Sequence, residues 1–189
     1  MNGWTKSGFS LVEVLVSIVV LGVGVLGAAG MQLTAMRTAQ QSAFHTFAHQ
    51  LAAEMAGAVR AGHGRLLQTS GADPYSGFDY QAAVDGDPQK PAKLCYSNEC
   101  NPQELAEFEM YEWKMRVKAA LPGGRVVVCR DANPWSGVLN ALNWNCNGGV
   151  GGKAPIVIKL GWQAKNPDGS QQRDANGISA PSVALAVAY

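Results

Sequence analysis

Glu13 stands where a carboxylate is rarely found. Between Lys6 and Arg37 it is the only ionisable side chain, so positions 7–36 carry a single charge. A carboxylate at the centre of a membrane helix costs about 2.5–3.5 kcal/mol on insertion scales, less near an end, and such a group asks for a partner. The residues just before it supply one. A cut after Gly8 leaves a free amine on Phe9, one helical turn ahead of Glu13. That amine would neutralise its own Glu13 or, in an assembly, the Glu13 of a neighbour. Snorkelling of a near-terminal acid to the interface is the plainer alternative.

The other reactive side chains point away from catalysis. Cys95, Cys100, Cys129 and Cys146 lie beyond the apolar run, and an even number in an exported domain favours disulfides. Zinc is the rival, but Cys-x4-Cys with no nearby histidine fits its spacing poorly. Three connectivities are open. Cys95 with Cys100 and Cys129 with Cys146 is favoured, because the first closes a tight turn-compatible loop and the second ties a strand end to a loop with few apolar positions. His45 and His49 share a helical face, yet no third ligand completes a metal site, so they are expected to be ordinary polar positions. Glu104, Glu107, Glu109 and Glu112 are expected on a solvated face. No phosphate-binding glycine loop and no nucleophile-base pair stands out, so no catalytic residue, cofactor or metal is expected. With 15 Lys and Arg against 14 Asp and Glu, the chain has no electrostatic footprint for nucleic acid.

These groups need elements to hold them. Residues 9–31 form an apolar run of 23 residues, roughly 34 Å as a helix at about 1.5 Å per residue, against a hydrocarbon core of about 30 Å. A cleaved secretory signal and an ordinary single-pass anchor share that length, but neither explains Glu13. Apolar residues then recur at Leu33, Met36, Ala43, Phe44, Phe47, Leu51, Met55 and Val59, so one helix is expected from Phe9 to about Arg60, stopped by Gly62 and Gly64. Residues 64–93 read as loop. A second helix is expected at about 102–120, with Asn101 as N-cap, Pro102 at the first position and Glu104 completing a capping box. Strands are expected at 125–129, 156–162 and 183–189. Helices followed by strands imply an α+β fold with a small antiparallel sheet, on which the second half of the long helix packs.

The run Lys6-Ser7-Gly8-Phe9-Ser10-Leu11-Val12-Glu13 ahead of a long apolar helix resembles the leader motif of type IV pilins and type II secretion pseudopilins. In that family a membrane aspartyl peptidase cuts after the glycine and methylates the new N-terminal phenylalanine. The resemblance implies removal of a leader at 1–8, N-methylation of Phe9, and an assembly or register role for Glu13. It also implies a transmembrane half at 9–31 and a periplasmic pilin-like domain at 32–189. Major pilins of the family usually carry a proline in the apolar half, whereas this chain has Gly22 and Gly30 there and no proline before Pro74. The stretch 101–124, with Cys129 soon after, looks like minor pilins of the PilV type.

The function so implied is structural, that of a minor pilin which helps initiate a type IV pilus or enters its fibre. Its partners would be other minor pilins, the major pilin, the prepilin peptidase and the inner-membrane assembly platform, with no nucleic acid. A type II secretion minor pseudopilin is the alternative within the family. A different alternative is a tip-displayed adhesin, in which Trp135, Trp144 and the Asn- and Gly-rich stretch 133–152 form a binding surface.

Overall fold

A computed structural model describes residues 8, 10–69, 75, 77–149, 153–164, 170 and 179–187, with the side chains of 63–69 outside that description. By internal contacts the chain forms two units, Met1–Gln40 and Gln41–Tyr189. Helix α1, Leu11–Thr69, runs through both.

In the first unit the helical side chains are all exposed, including Leu15, Leu21 and Leu26. The helix is long and apolar enough to cross a membrane. Its hydroxyls do not open the helix but bond back four residues, Ser17 to the Glu13 carbonyl at 2.7 Å and Thr38 to the Thr34 carbonyl at 3.0 Å. A Cβ added at Gly22, Gly24, Gly27 or Gly30 would meet nothing within 4 Å, so packing inside the chain does not require these glycines.

The second unit is built on the remainder of α1. Ala48, Leu51, Ala52, Met55, Ala56 and Val59 are buried, with Phe44 and Phe47 packed at the edge of the cluster. The intervals of three and four residues set them along one face. The alanines let the helix lie close to its neighbours, while Leu51, Met55 and Val59 each contribute about 1.5–3 kcal/mol by burial. Leu33, Met36 and Ala43 are exposed, so the stripe that packs starts later than its apolar pattern.

Helix α1 does not stop near Arg60. It continues through Gly62 to Thr69, and Gly62 has another use: a Cβ there would stand 2.8 Å from the ring of buried Tyr75. The stretch 64–93 is likewise not all loop. It contains strand β1, Phe78–Gln81, and one turn of helix α2, Ala82–Asp85. Phe78 and Tyr80 are buried and Asp79 exposed, an alternation too short to stand out beside the surrounding turn residues.

Helix α3, Pro102–Ala120, begins with the full capping box. Asn101 accepts from the Glu104 amide at 2.8 Å, and Glu104 accepts from the Asn101 amide at 2.9 Å. Ala106, Trp113 and Val117 are its buried residues, and Arg116 clamps Glu54 of α1 with two bonds of 2.7 and 2.6 Å. The glutamates are not simply solvated. Glu109 accepts from the Tyr75 hydroxyl and Glu112 from the Tyr96 hydroxyl, each at 2.5 Å, and both are half-buried.

The main sheet has the order β1-β2-β5-β6, antiparallel throughout, with β2 Arg125–Arg130, β5 Ile156–Gly161 and β6 Val183–Val187. Val126, Val128, Ile156, Ile158 and Leu160 join the helical core. Val127, Cys129, Val157 and Lys159 alternate to the opposite face and are buried as well. That face is covered from 131–149, which contains the small hairpin β3, Trp135–Ser136, and β4, Ala141–Leu142. Sequence periodicity indicated no strand in this region, whose two paired rungs are too few to show one.

Candidate functional site: the N-terminal helix and the stapled lobe

Two regions carry the candidate residues, one in each unit. In the first, the Ser10 carbonyl accepts from the amides of Glu13 at 3.0 Å and Val14 at 3.3 Å, which starts α1 at Leu11. Glu13 therefore lies in the first turn, where the exposed amide dipoles favour a negative charge. Val14, Ser17, Ile18 and Leu21 follow it along one open face. Gly8 is exposed, and a Cβ there would meet nothing within 4 Å. Phe9 lies outside the described residues, as do 1–7.

Residues 5–29 match the family model for the prokaryotic N-terminal methylation motif. The motif is that of type IV prepilin leaders. The match takes in Gly8, Phe9 and Glu13 and supports a pilin-like subunit, a structural class and not a catalytic one. Such a leader implies a prepilin peptidase and assembly with pilus components, and with the apolar helix it fits a membrane-anchored pilin. No curated protein and no solved structure matches the chain.

In the second unit the cysteines bracket two loops. Cys95 and Cys100 are bonded with their Cα atoms 5.9 Å apart, just before the Asn101 cap. Cys129 and Cys146 are bonded with their Cα atoms 6.0 Å apart and join the end of β2 to the 131–149 lobe. A charged lock lies beneath that lobe. Lys159 is wholly buried in the central strand β5, with its Nζ 2.5 Å from Asp131 Oδ2. The same ammonium donates to the carbonyls of Asn143 at 2.8 Å and Asn145 at 2.5 Å. Asp131 Oδ1 accepts from the amides of Asn133 at 3.0 Å and Asn147 at 3.3 Å, whereas Oδ2 has only its ion contact. Burial pushes the Asp131 carboxyl up, but Lys159 and the two amides outweigh it and hold the group below its ordinary value.

Trp144 is the second anchor. Its indole covers Gly161 so closely that a Cβ there would come within 2.8 Å of the ring, and its Nε1 donates to the Ser179 carbonyl at 2.8 Å. Arg125 lies over the same ring at 4.7 Å while binding Asp79. Trp144 is therefore turned inward, and Trp135 is the exposed indole of the pair.

His45 and His49 are both exposed, and His45 meets the edge of Trp162 at 4.7 Å. Among the described residues no group of three or more His, Cys, Asp or Glu gathers as a metal site would need. The Asp131–Lys159 pair was not visible in sequence. The available signal was a lysine inside an apolar strand, IVIKLG, since a lysine in a strand buried on both faces must find a counter-charge.

Proposed function

We propose that the chain is a minor pilin of the PilV type, a structural subunit that helps initiate a type IV pilus or is incorporated into it. The observation carrying the pilin part of this reading is the methylation-motif match at 5–29, which extends into a helix with exposed apolar side chains. In this proposal the leader is removed after Gly8, Phe9 is N-methylated, and 9–31 span the bacterial inner membrane with 32–189 in the periplasm. Glu13 is the assembly charge. Near the start of an apolar helix it would pair with the amine of its own or a neighbour's Phe9, which removes the cost of two unpaired charges in lipid. Two disulfides suit an oxidising compartment. The stretch 101–124, which resembles minor pilins of the PilV type, supports the minor role. The partners would be other minor pilins, the major pilin and the assembly platform.

Deletion of the gene should reduce surface pili, and the tagged chain should be recovered from sheared fibres well below the abundance of the main subunit. Recovery as the bulk subunit would refute the minor role. Normal piliation accompanied by a secretion defect would assign the chain to the pseudopilins.

A further inference from the structure

We propose that Asn147 is a site of spontaneous covalent modification, where cyclisation onto Gly148 turns the asparagine into aspartate and isoaspartate and loosens the lobe over the sheet. The inference stands apart from the pilin reading and rests on the second unit alone. Asn147–Gly148 is the one Asn-Gly pair among the described residues; Asn2–Gly3 and Asn176–Gly177 lie outside them. Gly148 has no Cβ to crowd its nitrogen as that nitrogen approaches the Asn147 carboxamide. Other asparagines of the lobe lack this freedom. Asn140, Asn143 and Asn145 each precede a residue with a side chain, and Asn133 precedes a proline, which has no N–H to lose.

The fold adds to what the dipeptide offers. Asn147 is exposed, so water and hydroxide reach it. Its Oδ1 accepts from the Gly149 amide at 3.2 Å, and Gly149 takes the left-handed φ of 70°. That bond closes a turn containing both Asn147 Cγ and the Gly148 nitrogen, and so limits how far the two can swing apart. The same donor remains on Oδ1 as negative charge gathers there during attack. The Gly148 amide itself donates to no group among the described residues, so no hydrogen bond holds its proton back. In the reaction that proton goes to hydroxide, and the nitrogen attacks Asn147 Cγ. A C–N bond forms, the Cγ–Nδ2 bond breaks, and Nδ2 takes a proton from water and leaves as ammonia. Water then opens the cyclic imide. Opening at Cγ gives aspartate, and opening at the main-chain carbonyl gives isoaspartate.

The products no longer fit their place. Residue 147 lies between two fixed points, Cys146 in its bond to Cys129 and the Gly148 carbonyl, which accepts from the Ala154 amide at 3.1 Å. Its own carbonyl accepts from the Ala132 amide at 2.7 Å, and its amide donates to Asp131 Oδ1 at 3.3 Å. An isoaspartyl link inserts a carbon into the main chain here, so these bonds cannot all be kept. Either product also places a carboxylate on the residue that bonds Asp131, where like charges repel. The change therefore acts on the pair formed by Asp131 and Lys159.

The test ages the full chain in mild detergent over days and follows residue 147 by peptide mapping, with fragmentation that separates aspartate from isoaspartate. Both products are expected there, and their rate of appearance should rise about tenfold per pH unit, as the deprotonated fraction of the amide does. Gly148 lies outside the left-handed region, so Gly148→Ala should fold normally and slow conversion about tenfold or more by crowding the nitrogen. Conversion of the folded chain should be at least as fast as in urea with both disulfides intact. Converted chains, separated by their added charge, should unfold at lower urea than unconverted ones. The proposal is overturned if residue 147 stays asparagine at mildly alkaline pH, or if Gly148→Ala converts as fast as wild type. Faster conversion in urea, or an unchanged unfolding midpoint after conversion, would overturn it as well.

Discussion

Replacing Lys159 by Met should be among the most damaging single changes in the second unit, and its effect should depend on pH. The ammonium contacts Asp131 and two backbone carbonyls at full burial, so its removal leaves a carboxylate under the lobe with only the Asn133 and Asn147 amides. Breaking a buried pair by removing one partner costs about 3–5 kcal/mol, against a typical domain stability of about 5–15 kcal/mol. The sign with pH follows from Asp131. Its carboxyl is held below the ordinary value in the folded wild type, so its contribution is present above the unfolded value and is lost as pH falls through the folded one. Without Lys159 burial dominates and raises the carboxyl, so acid neutralises the orphaned charge. The gap between wild type and Lys159→Met should therefore be widest near neutral pH and should narrow as pH falls towards 4, close to the ordinary carboxylate value. Urea unfolding of the full chain in mild detergent, followed by tryptophan fluorescence, measures it. A gap below about 1 kcal/mol, the size of an ordinary surface change, or one that does not vary with pH, would refute the reasoning.

Three other perturbations have defined outcomes. Cys146→Ser opens a loop with a sequence separation of 17 and Cys100→Ser one of 5, so by loop entropy the first should cost about 3 kcal/mol and the second about 2 kcal/mol, measured by the same urea titration. Equal losses would contradict the loop-entropy argument. Asn101→Ala removes the cap on α3 and should cost about 1 kcal/mol in the same assay, with no effect on fibre recovery. Glu13→Gln should insert into membranes at least as well as wild type, because a buried charge has been removed, but should fall in sheared-fibre recovery. Wild-type recovery would disprove the charge-pairing role.

Where a pattern is local, it can be read directly from the sequence. The Gly8, Phe9 and Glu13 pattern lies within a few residues, and the family match falls on the same stretch. The α3 cap was legible because Asn101, Pro102 and Glu104 act within one turn. The cores of β2, β5 and β6 declared themselves by β-branched or alternating residues. What escaped depends on distant neighbours. Ala48, Ala52 and Ala56 look neutral until α1 is laid against the core, and Gly62 looks like a stop until Tyr75 packs on it. The Asp131–Lys159 lock needs the β2–β5 register and the returning lobe together, and no spacing rule supplies either. The inward turn of Trp144 and the outward one of Trp135 were equally hidden, since both lie in the same Asn-rich stretch.

Intact mass spectrometry of the chain extracted from membranes tests the leader assignment most directly. The predicted species has lost residues 1–8 and carries one methyl group on the amine of Phe9, and Gly8→Val should leave the leader attached by crowding the peptidase site. A wild-type chain that keeps residues 1–8, or one cut near Met31, would contradict the pilin reading.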